Sequence, residues 1–101
     1  MASYKEHCED CKLILGNEWY VVHRWLDEMY RLTPGNLMHR AYRHHDEGIA
    51  KVKEMWGEEA AKAAEIHIRR DFPGLDHIPT VKDWEDPKNM IRNSDQYLEC
   101  I

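Results

Sequence analysis

Apolar residues recur at helical spacing along most of the chain, and no alternating run is long enough for a strand. Turn-forming residues at Gly16, Thr33-Pro34-Gly35-Asn36, Gly57, Pro73-Gly74, Pro79 and Pro87 divide that pattern into segments. A first helix is predicted from about Tyr4 to Leu15, closed by Gly16. A second begins after Asn17, whose short side chain suits an N-cap, with Glu18 in the first turn. Its buried stripe is Trp19, Val22, Leu26 and Met29, ending near Leu32. The third and longest runs without a break from Leu37 to Trp56, because Met38, Tyr42, His45, Ile49, Val52 and Trp56 share one face. That face points His45 inward and leaves Arg40 and Arg43 outside.

A fourth helix spans Glu58 to Asp71, with acids at its positive end and alanines (Ala60, Ala61, Ala63, Ala64) that permit close packing. Thr80 and Asp83 form a capping pair leading through Trp84, and Asp86-Pro87 opens a last helix to about Leu98. The expected fold is all-α: one small single-domain helical bundle of about four to five helices over residues 1–101.

Charge narrows the partners. Fourteen Lys and Arg against nineteen Asp and Glu give a formal charge of −5, which argues against duplex nucleic acid and anionic membranes. No run approaches a membrane span, and the N-terminus lacks the basic-then-apolar order of a signal peptide. The expected address is cytoplasmic, the host cytoplasm for a phage-encoded chain, with cysteines kept as thiols or ligands.

Seven histidines carry the candidate chemistry. His23 with Asp27, and His67 with Asp71, lie four apart on their helices, so each pair shares a face. With His45 pointing inward, His23, His45 and His67 converge if the three helices pack together. Asp27 and Asp71 would join them as ligands or as acceptors that orient the imidazoles. Such a set can hold a divalent metal ion. The bland reading of the same residues is surface His–Asp ion pairs and hydrogen-bonded core imidazoles, so the sequence leaves the cofactor open. The His45-Asp46 dipeptide is similar to that of the helical HD phosphohydrolases, for which His23, His45, Asp46 and Asp71 are the corresponding positions. Such enzymes normally have more helices than this chain can supply.

The stretch His39 to His45 reads differently as a local concentration of positive charge in an acidic protein. His39, Arg40, Arg43 and His44, joined by Arg69 and Arg70, offer forked donors for the oxygens of a phosphorylated small molecule or nucleotide. Cys8-x-x-Cys11 has half of a zinc spacing, which His7 or Cys100 could complete only if the chain ends meet. Four tryptophans exceed the needs of one small core, which favours a homo-oligomer.

The ordered elements His23-x-Trp-Leu-Asp27, His39-Arg-Ala-Tyr-Arg-His-His-x-Glu-Gly-Ile49, His67 with Asp71, and His77-Ile-Pro-Thr-x-x-Asp-Trp84 carry a resemblance. Together, over about residues 21–84, they resemble a family of small phage and bacterial proteins of unknown function. The resemblance implies a phage-like setting and a variable position at Asp46, and it brings no activity. It also suggests that Ile78-Pro79-Thr80 lies over the histidine-bearing helices, with His77 approaching their cluster. Three functions follow as expectations. The first is a non-catalytic binder of a phosphate-bearing ligand, in a phage a nucleotide signal of host antiviral defence held without cleavage. The alternatives are a metal-dependent, HD-like phosphohydrolase, and a structural or partner-inhibiting helical protein.

Overall fold

The computed structural model describes residues 3–32 and 37–99; the turn expected at residues 33–36, and Cys100, lie outside them. Among the described residues the elements are helical and none is a strand. Helix α1 (Tyr4–Leu15) opens on a reciprocal cap in which the Glu6 amide donates to Ser3 Oγ and the Ser3 amide donates to the Glu6 carboxylate. Gly16 closes it at φ 79, where a side chain would be strained. Helix α2 (Tyr20–Asp27) starts later than Asn17 predicts: Asn17 Oδ1 accepts the Trp19 amide, and Trp19 adopts a left-handed φ of 52. Its end tightens into a 3-10 segment, Glu28–Leu32.

The predicted third helix is three pieces. A 3-10 turn (Leu37–His39) leads into α3 (Arg40–Arg43), and α4 (Asp46–Trp56) follows after a break at His44 and His45. His45 is extended (φ −162, ψ 177) and caps α4, its Nδ1 accepting the Gly48 amide at 3.1 Å. Gly48 lies so close to α3 that a Cβ there would sit 1.9 Å from the Arg43 carbonyl oxygen. A continuous helix would forbid that approach. The Asp46 amide donates to the Pro79 carbonyl at 2.8 Å, so the Ile-Pro-Thr loop lies against the start of α4.

Helix α5 (Glu58–Asp71) matches its predicted bounds and packs against α1, α2 and α4. Thr80 and Asp83 bond reciprocally as expected before the 3-10 segment Lys82–Glu85. The last predicted helix is likewise divided, into α6 (Pro87–Arg92), capped by Asp86, and α7 (Asp95–Glu99). The interruption at Asn93 and Ser94 frees the Asn93 carbonyl to accept the Gly74 amide. Val22, Leu26, Val52, Ile68, Phe72 and Met90 form the core with the alanines of α5. All four tryptophans lie partly buried against it.

Candidate metal centre

Below the alanine half of α5 the interior becomes polar. Asp71 and His67, one turn apart on α5, face Asp27 at the end of α2 and His44 in the break after α3. Four atoms meet there. Asp27 Oδ1 is 3.3 Å from His44 Nε2 and 3.4 Å from His67 Nε2, while Asp71 Oδ2 is 3.1 and 3.2 Å from the same nitrogens. Ligands held about 2.0–2.2 Å from one ion, at angles between square and tetrahedral, lie about 2.8–3.6 Å apart. The four side chains meet that spacing on every carboxylate–imidazole edge. His44, His67 and Asp71 are buried, while the Asp27 side chain is 37% exposed and opens toward solvent.

The alignment of these atoms matters as much as their spacing. His67 Nε2 has an oxygen of each carboxylate within 3.4 Å yet makes an aligned hydrogen bond to neither. Two carboxylates around one imidazole also demand positive charge. Burial works to lower the His67 pKa, but Asp27 and Asp71 overcome it and raise it to about 9. For Asp71, burial alone would raise the pKa. Contacts from His44, His67 and His7 instead hold it well below the ordinary range, and His39, His44 and His67 do the same for Asp27. The pocket therefore holds fixed negative charge that a proton on His67, or a metal ion, neutralises.

A second layer surrounds these four groups. Asp71 Oδ1 lies 3.2 Å from His7 Nε2 and 3.3 Å from Arg40 Nη2, and Arg40 Nη1 donates to Asp95 Oδ1 at 3.0 Å. Arg40 lies over the Phe72 ring, 5.3 Å from its centroid. The His7 ring stacks on His67 at 3.5 Å. His23 Nδ1 is 2.9 Å from His67 Nδ1, and burial, with His67 beside it, pushes the His23 pKa down to about 4. His39 Nε2 is 3.6 Å from Asp27 Oδ1. A cleft of about 300 Å³ reaches this layer from the surface between Tyr4, Tyr30, His39 and Arg40, with Asp27 and Asp71 in its wall.

The structure redistributes the expected residues. Asp27, His67 and Asp71 come together, and His23 reaches them through the His67 ring. His45 does not, because the break turns its ring to cap α4 and to bond the Tyr42 carbonyl; His44 stands in its place. The HD correspondence fails with it, since Asp46 Oδ1 accepts the backbone amides of Glu47 and Val81.

The phosphate set does not assemble on one surface. Arg40 is buried, against the expectation that it lies outside, and His39 and His44 are buried with it. Arg43 lies over the Trp25 ring and donates to the Trp25 carbonyl and Glu28. Arg69 pairs with Glu65, and Arg70 reaches across to Glu6 and Asp10 of α1. His77 bonds Asp76 and Asp83 at the surface, away from the cluster. Cys8 and Cys11 are buried free thiols, and burial raises the Cys11 pKa to about 11.

His7 and Asp95 carried no role in the sequence reading of this centre. His7 had a detectable signal, since it lies four residues before Cys11 on the buried face of α1. Asp95 had none: it meets Arg40 only because α7 folds back across the end of α5.

Residues 2–94 match the model of a family described as Domain of unknown function (DUF6915), and the chain belongs to that family. No curated protein and no solved structure matches it.

Proposed function

We propose that this member of the DUF6915 family is a metal-dependent hydrolase of a small substrate, built around a divalent transition-metal ion between Asp27, His44, His67 and Asp71. One observation carries the reading. Two carboxylate oxygens and two imidazole nitrogens face one another at 3.1–3.4 Å, with His67 Nε2 aligned to neither carboxylate. Imidazole and carboxylate donors together suit zinc, iron or manganese. Such an ion supplies a polarised water near neutral pH, and the partly exposed Asp27 marks the side on which substrate arrives. The cleft beside it, about 300 Å³, is at the small end of ligand pockets.

The geometry favours this over a non-catalytic phosphate binder because the arginines that would serve that role are each tied to a carboxylate or carbonyl. A phosphate ester remains a suitable substrate class, because a divalent ion held by these four residues would bind and polarise its oxygens beside the cleft; a nucleotide signal of host defence is one member of that class.

The test begins with native mass spectrometry and metal analysis of the purified protein. One ion per chain is expected, lost in His67→Ala and in Asp71→Asn. Hydrolysis of phosphate mono- and diesters by the loaded protein, abolished by chelator, would complete it. A wild type that takes up no zinc, iron or manganese sinks the proposal; a loaded protein that cleaves no ester in the panel leaves a metal-binding protein and removes the hydrolase.

A further inference from the structure

A metal-binding imidazole must present a lone pair to the ion, so its proton has to sit on the other nitrogen and be held there. The structure contains a chain of groups that can do this for His67. At its outer end is a backbone carbonyl. The Glu18 oxygen can only accept, and it lies 2.9 Å from His23 Nε2, so that nitrogen carries a proton. In the neutral ring His23 Nδ1 is then an acceptor. Its partner, 2.9 Å away, is His67 Nδ1, which must donate. A neutral His67 that donates from Nδ1 has its lone pair on Nε2, the atom set between Asp27 and Asp71.

The outer end of this chain is held at a cost. Glu18 precedes Trp19, whose φ of 52 is a left-handed conformation that a large L-residue rarely adopts. The turn is pinned by the Trp19 amide on Asn17 Oδ1 and by the Trp19 indole donating to Glu59 at 3.0 Å. A strained turn beside a functional side chain is a feature that surrounding contacts must maintain.

We infer that His23 is a positioning residue: anchored on the Glu18 carbonyl, it holds His67 in the tautomer whose Nε2 lone pair faces the metal position. The inference rests on the metal centre proposed above and names the group that prepares one of its ligands. Gln can copy both of its bonds, with an amide oxygen for His67 and an amide N–H for Glu18. Leu copies neither.

The experiment uses the full-length protein and zinc. Chelator competition gives the zinc dissociation constant for wild type, His23→Gln and His23→Leu, and nitrogen-15 imidazole spectra of the zinc-loaded wild type report the His67 tautomer. Zinc affinity should fall about 10–100-fold in His23→Leu. His23→Gln should restore it to within about threefold of wild type, with His67 protonated at Nδ1 alone. Equal zinc affinity in His23→Leu, or an Nε2–H tautomer in the loaded wild type, overturns the inference and leaves the metal centre standing. If His23→Leu does not fold, the His67 tautomer and the affinity of His23→Gln decide it. A wild type that takes up no zinc, iron or manganese overturns the centre, and this inference with it; uptake of iron or manganese alone moves the same competition to that ion.

Discussion

Helix α5 builds two different interiors along its length. Its first half buries Ala60, Ala63 and Ala64 against apolar neighbours, where Cys11 Sγ lies 3.8 Å from the Ala63 carbonyl. Its second half buries His67 and Asp71 among Asp27, His44, His7 and Arg40. The first half needs only shape and loss of water contact. The second places two carboxylates among buried cations and imidazoles, and its stability depends on which positive charges are present. A helix kept only for stability would gain more from continuing the first pattern. Ile68 continues the apolar face past Ile66, while His67 and Asp71 depart from it.

The contrast can be broken most severely at Asp71. Asp71→Ala removes the shared partner of His7, Arg40, His44 and His67, and should destabilise by about 3–5 kcal/mol, as when one member of a buried ion pair is deleted. Denaturant unfolding measures it; a loss below about 1 kcal/mol would show that the polar half relaxes freely. Zinc should act on the same half in the opposite direction. At a concentration 100 times its dissociation constant it should stabilise wild type by about 2.7 kcal/mol, and Asp71→Ala hardly at all. In the apolar half Ala63→Leu should overpack the helix contact and cost about 1–3 kcal/mol without altering zinc affinity. Smallest is Arg69→Ala, an exposed pair with Glu65, at no more than about 1 kcal/mol.

Proton dependence enters through the polar half, at His67 and its neighbour His23. His67 has its pKa raised to about 9, so in metal-free protein its contribution is complete below the unfolded value near 6.5 and is lost as pH rises through 9. His23, lowered to about 4, acts in reverse: its contribution is present above about 6.5 and is lost as pH falls toward 4. Metal-free protein should therefore have its highest melting temperature near pH 6.5. Zinc must displace the His67 proton, so its apparent affinity should strengthen about tenfold per pH unit between 6.5 and 9. A flat affinity over that window would mean that His67 is already neutral.

The all-helical class, the bounds of α1 and α5, the cap at Thr80 and Asp83, and the Asp86-Pro87 start were all legible as local signals. Each depends on residues within one turn of one another, where spacing and capping chemistry decide the outcome. The identity of the third imidazole was not legible. His44 and His45 are adjacent, and the apolar stripe from Met38 to Trp56 favours His45 as the inward one. That choice assumes one uninterrupted helix. The Gly48–Arg43 approach and the Asp46–Pro79 bond end it, and both depend on segments brought together by the fold.

By itself the sequence determined which segments are helical, which side chains share a face, and that His23, Asp27, His67 and Asp71 stand at spacings able to cooperate. Tertiary structure alone decided that His44 replaces His45, that Arg40 is buried with Asp71 and Asp95, and that His7 joins from the far end of the chain. The physical reason is the range of the forces involved. Helix propensity and caps are satisfied within a few residues, whereas a buried charge takes its partner from whichever helix packing brings beside it.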